Sequence, residues 1–245
     1  MSPTRVATRD VELQLCSLHT TVAGMDEVGR GALAGPVAVG VCVVDATCGP
    51  PPQGLTDSKR MTPRRREAMC APVQQWVLTS AVGWASAAEV DACGIITALR
   101  LAGLRALRAV RAGGVHPGVV LLDGSHDWLT PPEQDLFTAG DCAGPGVPVV
   151  TRVRADLECA VVSAASVLAK VSRDARMCEL PDPGYDWAHN KGYASPSHVR
   201  GLSRLGPCEL HRRTWHLPGV TAGDGASAAG APMGPSVPGE GMMGL

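Results

Sequence analysis

Three aspartates in this chain share one sequence context, because each comes at or soon after the end of an apolar run. Asp26 follows one such run and is itself followed by Glu27, Asp123 follows a second run, and Asp156 comes shortly after a third. Short apolar runs of this kind predict buried strands, and strand ends can converge at one edge of a mixed sheet. Carboxylates brought together repel one another unless cations neutralise them, and oxygen ligands suit hard cations such as Mg²⁺ or Mn²⁺. These four acids are therefore the candidate catalytic and metal-binding residues.

Each acid also has a simpler explanation when it is considered alone. Asp26-Glu27 could be a surface dipeptide at a strand end, Asp123-Gly124 a turn, and Asp156 the N-cap of the following helix. Adjacent residues of a regular strand face opposite sides, so a bend or bulge at Asp26-Glu27 is expected if both are to reach one ion. The joint placement of the acids favours a common site over separate coincidences.

Glycines and basic residues supply the other chemical signals. Gly29 and Gly31 flank Arg30 directly after the first acidic pair, and glycines allow the backbone to approach a ligand closely. Two groups of basic residues could bind phosphates or could be solvated helix faces. One group comprises Lys59, Arg60, Arg64, Arg65 and Arg66, and the other Lys191, Arg200, Arg204, Arg212 and Arg213. No Ser-His-Asp or Cys-His arrangement competes, and we expect His211 to contact phosphate or to be structural.

Composition limits the class of protein. The chain has 245 residues with 45% hydrophobic and only 3% aromatic residues, which predicts a core of Val, Leu, Ala and Ile. The formal net charge is -1, so any positive surface that binds nucleic acid must be local. Nine cysteines without a C-x-x-C pair fit neither a zinc site nor a disulfide framework. With no apolar signal region and no run near the ~20 residues of a membrane span, the expected location is the cytoplasm.

The elements that must position these residues follow from periodicity and capping signals. Residues 1–20 are expected to form a loose arm or a short helix, and residues 21–45 two paired strands. Thr62-Pro63 is a strong helix start. The remaining predicted elements are a helix from Pro63 to about Gln75, a strand from Trp76 to Trp84, a helix over Ala87–Ala112, strands at Val119–Leu122 and Val147–Val150, a helix over Glu158–Met177 and a helix from Ser195-Pro196 to about Leu205.

This order predicts an α/β fold in which helices flank a mixed sheet and a helical and loop segment follows at the C-terminal end. We expect an N-terminal arm over residues 1–20 and a single catalytic domain over residues 21–216. Residues 217–245 are rich in Gly, Ala and Pro and almost without charge, which predicts a disordered tail.

Several segments together resemble one family. Met25–Gly31 with Leu33–Val37 resembles the opening motif of the type 2 ribonucleases H, specifically bacterial ribonuclease HII. Similarity to the family's other motifs, in the same order, extends through Leu55–Lys59, Leu122–Gly124, Asp156 with Ser163–Val171, Lys191–Tyr193 and His211–Arg213. Several matches in one order are far more specific than any single motif.

The resemblance implies a ribonuclease H-like fold and a metal-dependent endoribonuclease. Such an enzyme hydrolyses the RNA strand of RNA–DNA hybrids and cuts on the 5′ side of single ribonucleotides in duplex DNA, as ribonucleotide excision repair requires. It leaves a 3′-hydroxyl and a 5′-phosphate by a two-metal-ion mechanism with Mn²⁺ or Mg²⁺. The expected partners are the hybrid and the ribonucleotide-containing duplex, without a membrane, and the expected form is a monomer.

The resemblance also implies residue roles. Asp26, Glu27, Asp123 and Asp156 would ligate the two ions. The backbone of Gly29, Arg30 and Gly31 would read a ribose 2′-hydroxyl, the group that distinguishes RNA from DNA. Ser58 and Lys59 would hold backbone phosphates, and Tyr193 would pack against the neighbouring sugar. Two alternatives remain open at this point, namely the sister family ribonuclease HIII and a duplex-binding module without catalysis.

Overall fold

The computed structural model describes residues 7–132 and 144–220, so the predicted tail from residue 221 onward lies outside the described residues. The described chain forms one five-stranded sheet with helices on both faces. The strands are β1 (Thr21–Val28), β2 (Val37–Asp45), β3 (Thr79–Ala85), β4 (Val119–Asp123) and β5 (Val149–Arg152). The helices are α1 (Asp10–His19), α2 (Pro63–Trp76), α3 (Ala87–Ala112), α4 (Ala155–Glu158), α5 (Ala160–Glu179), α6 (Trp187–Asn190) and α7 (Pro196–Leu205), with a 3₁₀ turn at Ser58–Arg60.

The sheet is mixed, as predicted. Its strand order is β3-β2-β1-β4-β5, with antiparallel pairing among the first three strands and parallel pairing of β1 with β4 and of β4 with β5. The antiparallel strands arise from chain-adjacent segments, whereas the parallel strands need helical crossovers. The predicted α/β class with a flanked mixed sheet is confirmed.

Helix starts are set locally. The Thr62 hydroxyl accepts the Arg65 N–H with Pro63 in the first turn of α2, and the Ser195 hydroxyl accepts the His198 N–H at the start of α7. Ser86 and Glu89 form a capping box at the start of α3. None of the helices within residues 7–132 and 144–220 is long and apolar enough to cross a membrane.

Small residues bring the helices very close to the sheet. A Cβ placed on Gly40 of β2 would lie 2.3 Å from the carbonyl oxygen of Ala165 in α5, and one on Gly83 of β3 would lie 2.0 Å from that of Ala102 in α3. Helix α5 therefore lies tightly on one face of the sheet, together with α1 and α2, and α3 covers the other face. The many Ala and Ser residues of α5 allow this close contact.

The structure differs from three sequence expectations. Strand β1 pairs with β2 in continuous register through Asp26 and Glu27, so the expected bulge is wrong. The helix predicted over Glu158–Met177 is broken at Cys159 into α4 and α5, because residue 159 bridges to Thr8 of the N-terminal segment. The strand predicted from Trp76 begins only at Thr79, because Trp76 is the last residue of α2.

Candidate active site

Strand alternation directs Asp26 and Asp123 to the same face of the sheet. Val22 and Leu121 pack under α5, whereas Met25 packs under α3. Because side chains alternate along a strand, Asp26 and Asp123 both face the α5 side. Met25 pairs with Leu122 in the parallel register of β1 and β4, which makes the following residues, Asp26 and Asp123, neighbours at the strand ends.

Asp156 comes to the same place from a different element. Arg154 adopts a left-handed conformation with φ 61°, which turns the chain from β5 into the short helix α4. The Asp156 N–H then donates to Oδ1 of Asp123 at 3.3 Å. Burial, and next the negative charge of Asp123, raises the pKa of Asp156. The two carboxylates therefore lie close enough to repel each other.

The environment of Asp26 strongly disfavours an unpaired negative charge. Burial is the main cause that raises its pKa to about 8, and the charges of Glu27 and Asp123 raise it further. A hydrogen bond with the Ser166 hydroxyl of α5 acts in the opposite direction. In the absence of a cation, ionisation of one of these acids therefore makes ionisation of its neighbours less favourable.

Glu27 points away from the other three acids. It follows Asp26 on a regular strand and therefore faces the opposite side of the sheet. Its Oε1 lies 3.4 Å from Nη1 of the exposed Arg30. Burial raises the pKa of Glu27, the ion pair with Arg30 lowers it, and Asp123 again raises it. Glu27 is thus within electrostatic reach of the cluster but is turned toward Arg30.

One ammonium group approaches these acids. Nζ of Lys59, on a side chain that is 76% exposed, lies 3.6 Å from Oδ2 of Asp156. Burial lowers the pKa of Lys59, but the charges of Asp26, Asp57, Asp156 and Asp123 outweigh this and raise it. Ser58, in contrast, is buried, and its hydroxyl oxygen lies 2.9 Å from that of Ser166. Of the two residues predicted to hold phosphates, only Lys59 reaches solvent.

The chemistry of the donors fits a hard divalent cation. In the part of the chain that the structure describes, no three His, Cys, Asp or Glu side chains are already arranged around one point as ligands. However, Asp26, Asp123 and Asp156 supply only oxygen donors. Burial and the negative charges of neighbouring acids raise the pKa values of Asp26 and Asp156, and a cation would neutralise that charge. Rotation of these side chains would be needed to direct them at one ion.

The glycine loop lies next to these acids, directly after β1. Gly29 has φ 82°, and its N–H donates to the Tyr193 hydroxyl at 3.1 Å. A Cβ on Gly31 would have no neighbour within 4 Å, so this position opens to solvent. The structure therefore brings Tyr193 and the loop of Gly29, Arg30 and Gly31 together beside the acids.

Several polar residues that seemed to be surface groups are buried anchors. Arg66 donates from Nη1 to the carbonyl oxygens of Ser58 and Met61, and so holds the 3₁₀ turn that carries Lys59. Arg212 is completely buried, as is Arg173, for which the sequence analysis proposed no role. A signal for Arg173 existed, because it continues the buried stripe of α5 that contains Ser166 and Ala169. His211 is structural, since its Nε2 lies 3.0 Å from that of the buried His198.

Comparison with known proteins places this arrangement in a family. The family model described as Ribonuclease HII matches residues 23–217. Proteins named Ribonuclease HII from Streptomyces avermitilis and Streptomyces griseus are 43% and 44% identical over 196 and 202 residues, which covers 79% and 80% of this chain and 76% and 77% of theirs. The protein of that name from Nitrosococcus oceani is 40% identical over 81% of this chain and 90% of its own.

Solved structures agree on the fold. Ribonuclease H2 from Pyrococcus horikoshii matches with a TM-score of 0.59 and 25% identity over 80% of this chain and 94% of its own. A Bst-RNase HIII crystallised with Mn²⁺ matches with a TM-score of 0.50 and 17% identity over 77% of this chain and 63% of its own, which shows the fold alone. The sequence matches separate the two sister families that the motifs left open. The chain belongs to the ribonuclease HII family and is a ribonuclease H that acts on RNA–DNA hybrids.

Proposed function

We propose that the protein cuts the RNA strand of RNA–DNA hybrids and also cuts on the 5′ side of a single ribonucleotide in duplex DNA, leaving a 3′-hydroxyl and a 5′-phosphate. The observation that carries this proposal is the convergence of Asp26, Asp123 and Asp156 beside the exposed backbone of Gly31. Acidic ligands alone would suit many hydrolases. A bare backbone next to them adds a means of recognising a sugar, which is what cleavage at a ribonucleotide requires.

The four acids are the proposed ligands of two divalent ions, Mn²⁺ or Mg²⁺. Such ions, when bound, activate a water molecule and stabilise the charge of the leaving oxygen. Asp26 and Asp123 would supply oxygens from neighbouring strand ends and Asp156 from the start of α4. Glu27 would join them by turning away from Arg30. A structural neighbour that shares the fold, Bst-RNase HIII, is described in complex with Mn²⁺.

The residues around the acids would bind and orient the duplex. Lys59, exposed beside Asp156, would hold a backbone phosphate of the cleaved strand. Ser58 would support Lys59 through its hydroxyl contact with Ser166. Tyr193 is half-buried and fixed by its contact with the Gly29 N–H, so it can present one side of its ring to a sugar without losing much side-chain entropy. These roles make ribonucleotide excision repair the proposed cellular use.

The test is a cleavage assay on a DNA duplex that contains one ribonucleotide, with Mn²⁺ and with chelator, followed by mapping of the product ends. The wild-type protein should cut only with the metal, 5′ of the ribonucleotide. Asp26→Asn should reduce the rate by at least about a thousandfold, because an amide cannot supply the negative oxygen that the ion needs, and it should largely preserve hybrid binding.

Asp45→Asn is the matched control. Asp45 also ends a strand, but it lies at the opposite end of β2 and accepts hydrogen bonds within its own turn. It should therefore cut at the wild-type rate. Undiminished cutting by Asp26→Asn would refute the ligand assignment, and tight binding without metal-dependent product in the wild-type protein would leave only a duplex-binding module.

A further inference from the structure

We propose that Arg212, supported by Arg173, is a positioning residue for ribonucleotide selection, because it fixes the peptide planes of the Gly29–Gly31 loop from beneath. This inference rests on the proposed function and deepens it. In the sequence, Arg212 belongs to a basic group that could bind phosphates or could be a solvated helix face. In the structure its side chain is completely buried and cannot contact a duplex.

The guanidinium of Arg212 holds consecutive carbonyl groups of the loop. Nη2 donates to the Gly29 oxygen at 2.6 Å and Nη1 donates to the Arg30 oxygen at 2.7 Å, with a further contact from Nη2 to the Gly35 oxygen at 3.3 Å. The indole of Trp215 packs against the same guanidinium, 4.7 Å from its ring centre. The planar fork of arginine can hold two acceptors in fixed directions, which a lysine ammonium does not reproduce.

These bonds determine where the loop's donors point. In a trans peptide the N–H is directed opposite to the C=O of the same plane. Because the Gly29 and Arg30 oxygens point down to Arg212, the N–H groups of Arg30 and Gly31 point up and outward. A Cβ built on Gly31 would also meet no atom within 4 Å, so there is open space beside this backbone. Two backbone donors therefore face the place proposed for the ribose.

Arg173 fixes the rest of the recognition surface. It donates from Nε to the Pro36 oxygen at 2.9 Å and from Nη1 to the Lys191 oxygen at 3.0 Å, so it joins the segment between the glycine loop and β2 to the loop that carries Tyr193. Its guanidinium lies 5.4 Å from the centre of the Tyr193 ring. The Tyr193 hydroxyl in turn accepts the Gly29 N–H. The arginines thus hold the sugar-reading backbone and the tyrosine in one rigid relation.

Burial of the positive charges of Arg212 and Arg173 is unfavourable for the free energy of folding. Within the described residues, the hydrogen bonds of both guanidiniums all go to carbonyl oxygens, and Nε of Arg212 has no partner. Burial, and next the positive charge of Arg173, lowers the pKa of Arg212 to about 10. Two like charges buried side by side are unfavourable, and a geometric role in recognition accounts for their presence.

The experiment compares a ribonucleotide-containing duplex with an all-DNA duplex of the same sequence. Single-turnover kinetics with Mn²⁺ gives the half-saturating concentration of the first, and competition gives the inhibition constant of the second. The inhibition constant of the all-DNA duplex divided by the half-saturating concentration of the ribonucleotide duplex measures ribonucleotide selection. Arg212→Lys keeps the charge but loses the planar fork. It should lower this ratio about tenfold by raising the half-saturating concentration of the ribonucleotide duplex, with the inhibition constant of the all-DNA duplex unchanged.

Arg100→Lys is the matched control, because Arg100 is also buried and donates to main-chain oxygens, at Trp128 and Thr130 of another loop. It should leave the ratio at its wild-type value. A folded Arg212→Lys protein with an unchanged ratio would overturn the proposal, and so would an equal fall in Arg100→Lys.

A second variant keeps the test decisive if circular dichroism shows that Arg212→Lys does not fold. Trp215→Leu removes the ring that supports the guanidinium and should lower the ratio in part, whereas no change would overturn the proposal. Failure of the proposed function gives a different result, because the wild-type protein would then not cut the ribonucleotide duplex at all.

Discussion

Gly29 and Gly31 lie two residues apart and are expected to respond to alanine in opposite ways. A Cβ on Gly29 would meet Nε of Arg173 at 2.0 Å, and the φ of 82° is itself strained for alanine. Gly29→Ala should therefore lower the free energy of unfolding by about 1–3 kcal/mol. Gly31→Ala meets nothing and should change it by less than about 0.5 kcal/mol.

Gly31→Ala should nevertheless slow cleavage of a single-ribonucleotide duplex by about tenfold or more, because a methyl group would occupy the side that the sugar approaches. Urea denaturation and single-turnover cleavage of the two variants check this pair of predictions. A Gly31→Ala protein with wild-type activity would mean that the duplex does not approach this loop.

The buried pair of His198 and His211 predicts acid sensitivity. Burial, and next the positive charge of His198, lowers the pKa of His211 to about 4, below the ordinary value of 6.5. The unfolded chain therefore binds a proton more tightly, and stability present above about pH 6.5 is lost as the pH falls toward 4. For one group this amounts to on the order of 3 kcal/mol.

Urea midpoints at about pH 7 and about pH 4.5 measure this loss. His211→Gln removes the titrating ring and should be less stable at neutral pH but less dependent on pH, whereas His189→Gln, at an exposed position, should keep the wild-type dependence. An unchanged pH dependence in His211→Gln would contradict the assignment.

Single residues also show what the sequence could not reveal. The identities of Asp26, Asp123 and Asp156 as a group could be inferred because each comes at or soon after the end of an apolar run. The resemblance implied a phosphate contact for Ser58, and Arg66 and Arg212 were expected either to bind phosphate or to lie on solvated helix faces. All three are instead buried or serve as anchors. The residues near a motif show that positive charge is present. Only the tertiary packing of the loops determines whether an arginine is exposed or is buried with its guanidinium bonded to main-chain carbonyl groups.

At the level of elements, the contact between α5 and the sheet depends on glycine. A Cβ on Gly40 would lie 2.3 Å from the Ala165 oxygen, so Gly40→Ala must push α5 away from β2. We expect a loss of about 1–3 kcal/mol in the free energy of unfolding and slower cleavage, because α5 carries Ser166 beside Asp26. Urea denaturation checks the first effect and single-turnover cleavage the second.

Gly49→Ala is the control for this change, since its added Cβ would meet no atom within 4 Å. It should change the free energy of unfolding by less than about 0.5 kcal/mol and leave the cleavage rate at its wild-type value. If Gly40→Ala behaved in the same way, the close packing of α5 would not be what holds Ser166 in place.

Elements with local signals were predictable, and those set by distant contacts were not. The start of α2 at Thr62-Pro63 and of α7 at Ser195-Pro196 followed from capping residues close in sequence. The break at Cys159 results from pairing with Thr8, some 150 residues earlier, which no local pattern contains. Likewise, Gly103 of α3 lies against Trp128 and Leu129, side chains of the loop after β4, a contact that no local pattern contains.

At the level of the whole molecule, a chain with net charge -1 still has a local group of exposed cations near the acids. Arg60, Arg64 and Arg65 are exposed around the start of α2, which packs on the α5 side of the sheet, the side that Asp26 and Asp123 face. If α2 contacts two phosphates, Arg64→Gln with Arg65→Gln should weaken hybrid binding. The slope of log affinity against log salt should then become shallower by about 2.

Fluorescence anisotropy at several salt concentrations measures this slope. Arg108→Gln, an exposed change on α3 across the sheet, should leave it unchanged. Equal slopes in all three proteins would place the duplex elsewhere on the surface.

The central claim is that acids from separate strands and a helix form one site for divalent ions. A titration with Mn²⁺ that follows free ion by electron paramagnetic resonance tests this without any substrate. The wild-type protein and Asp45→Asn should bind Mn²⁺ alike, and Asp123→Asn should bind it at least about tenfold more weakly, since one charged ligand is lost. Equal Mn²⁺ binding by Asp123→Asn and the wild-type protein would contradict the claim.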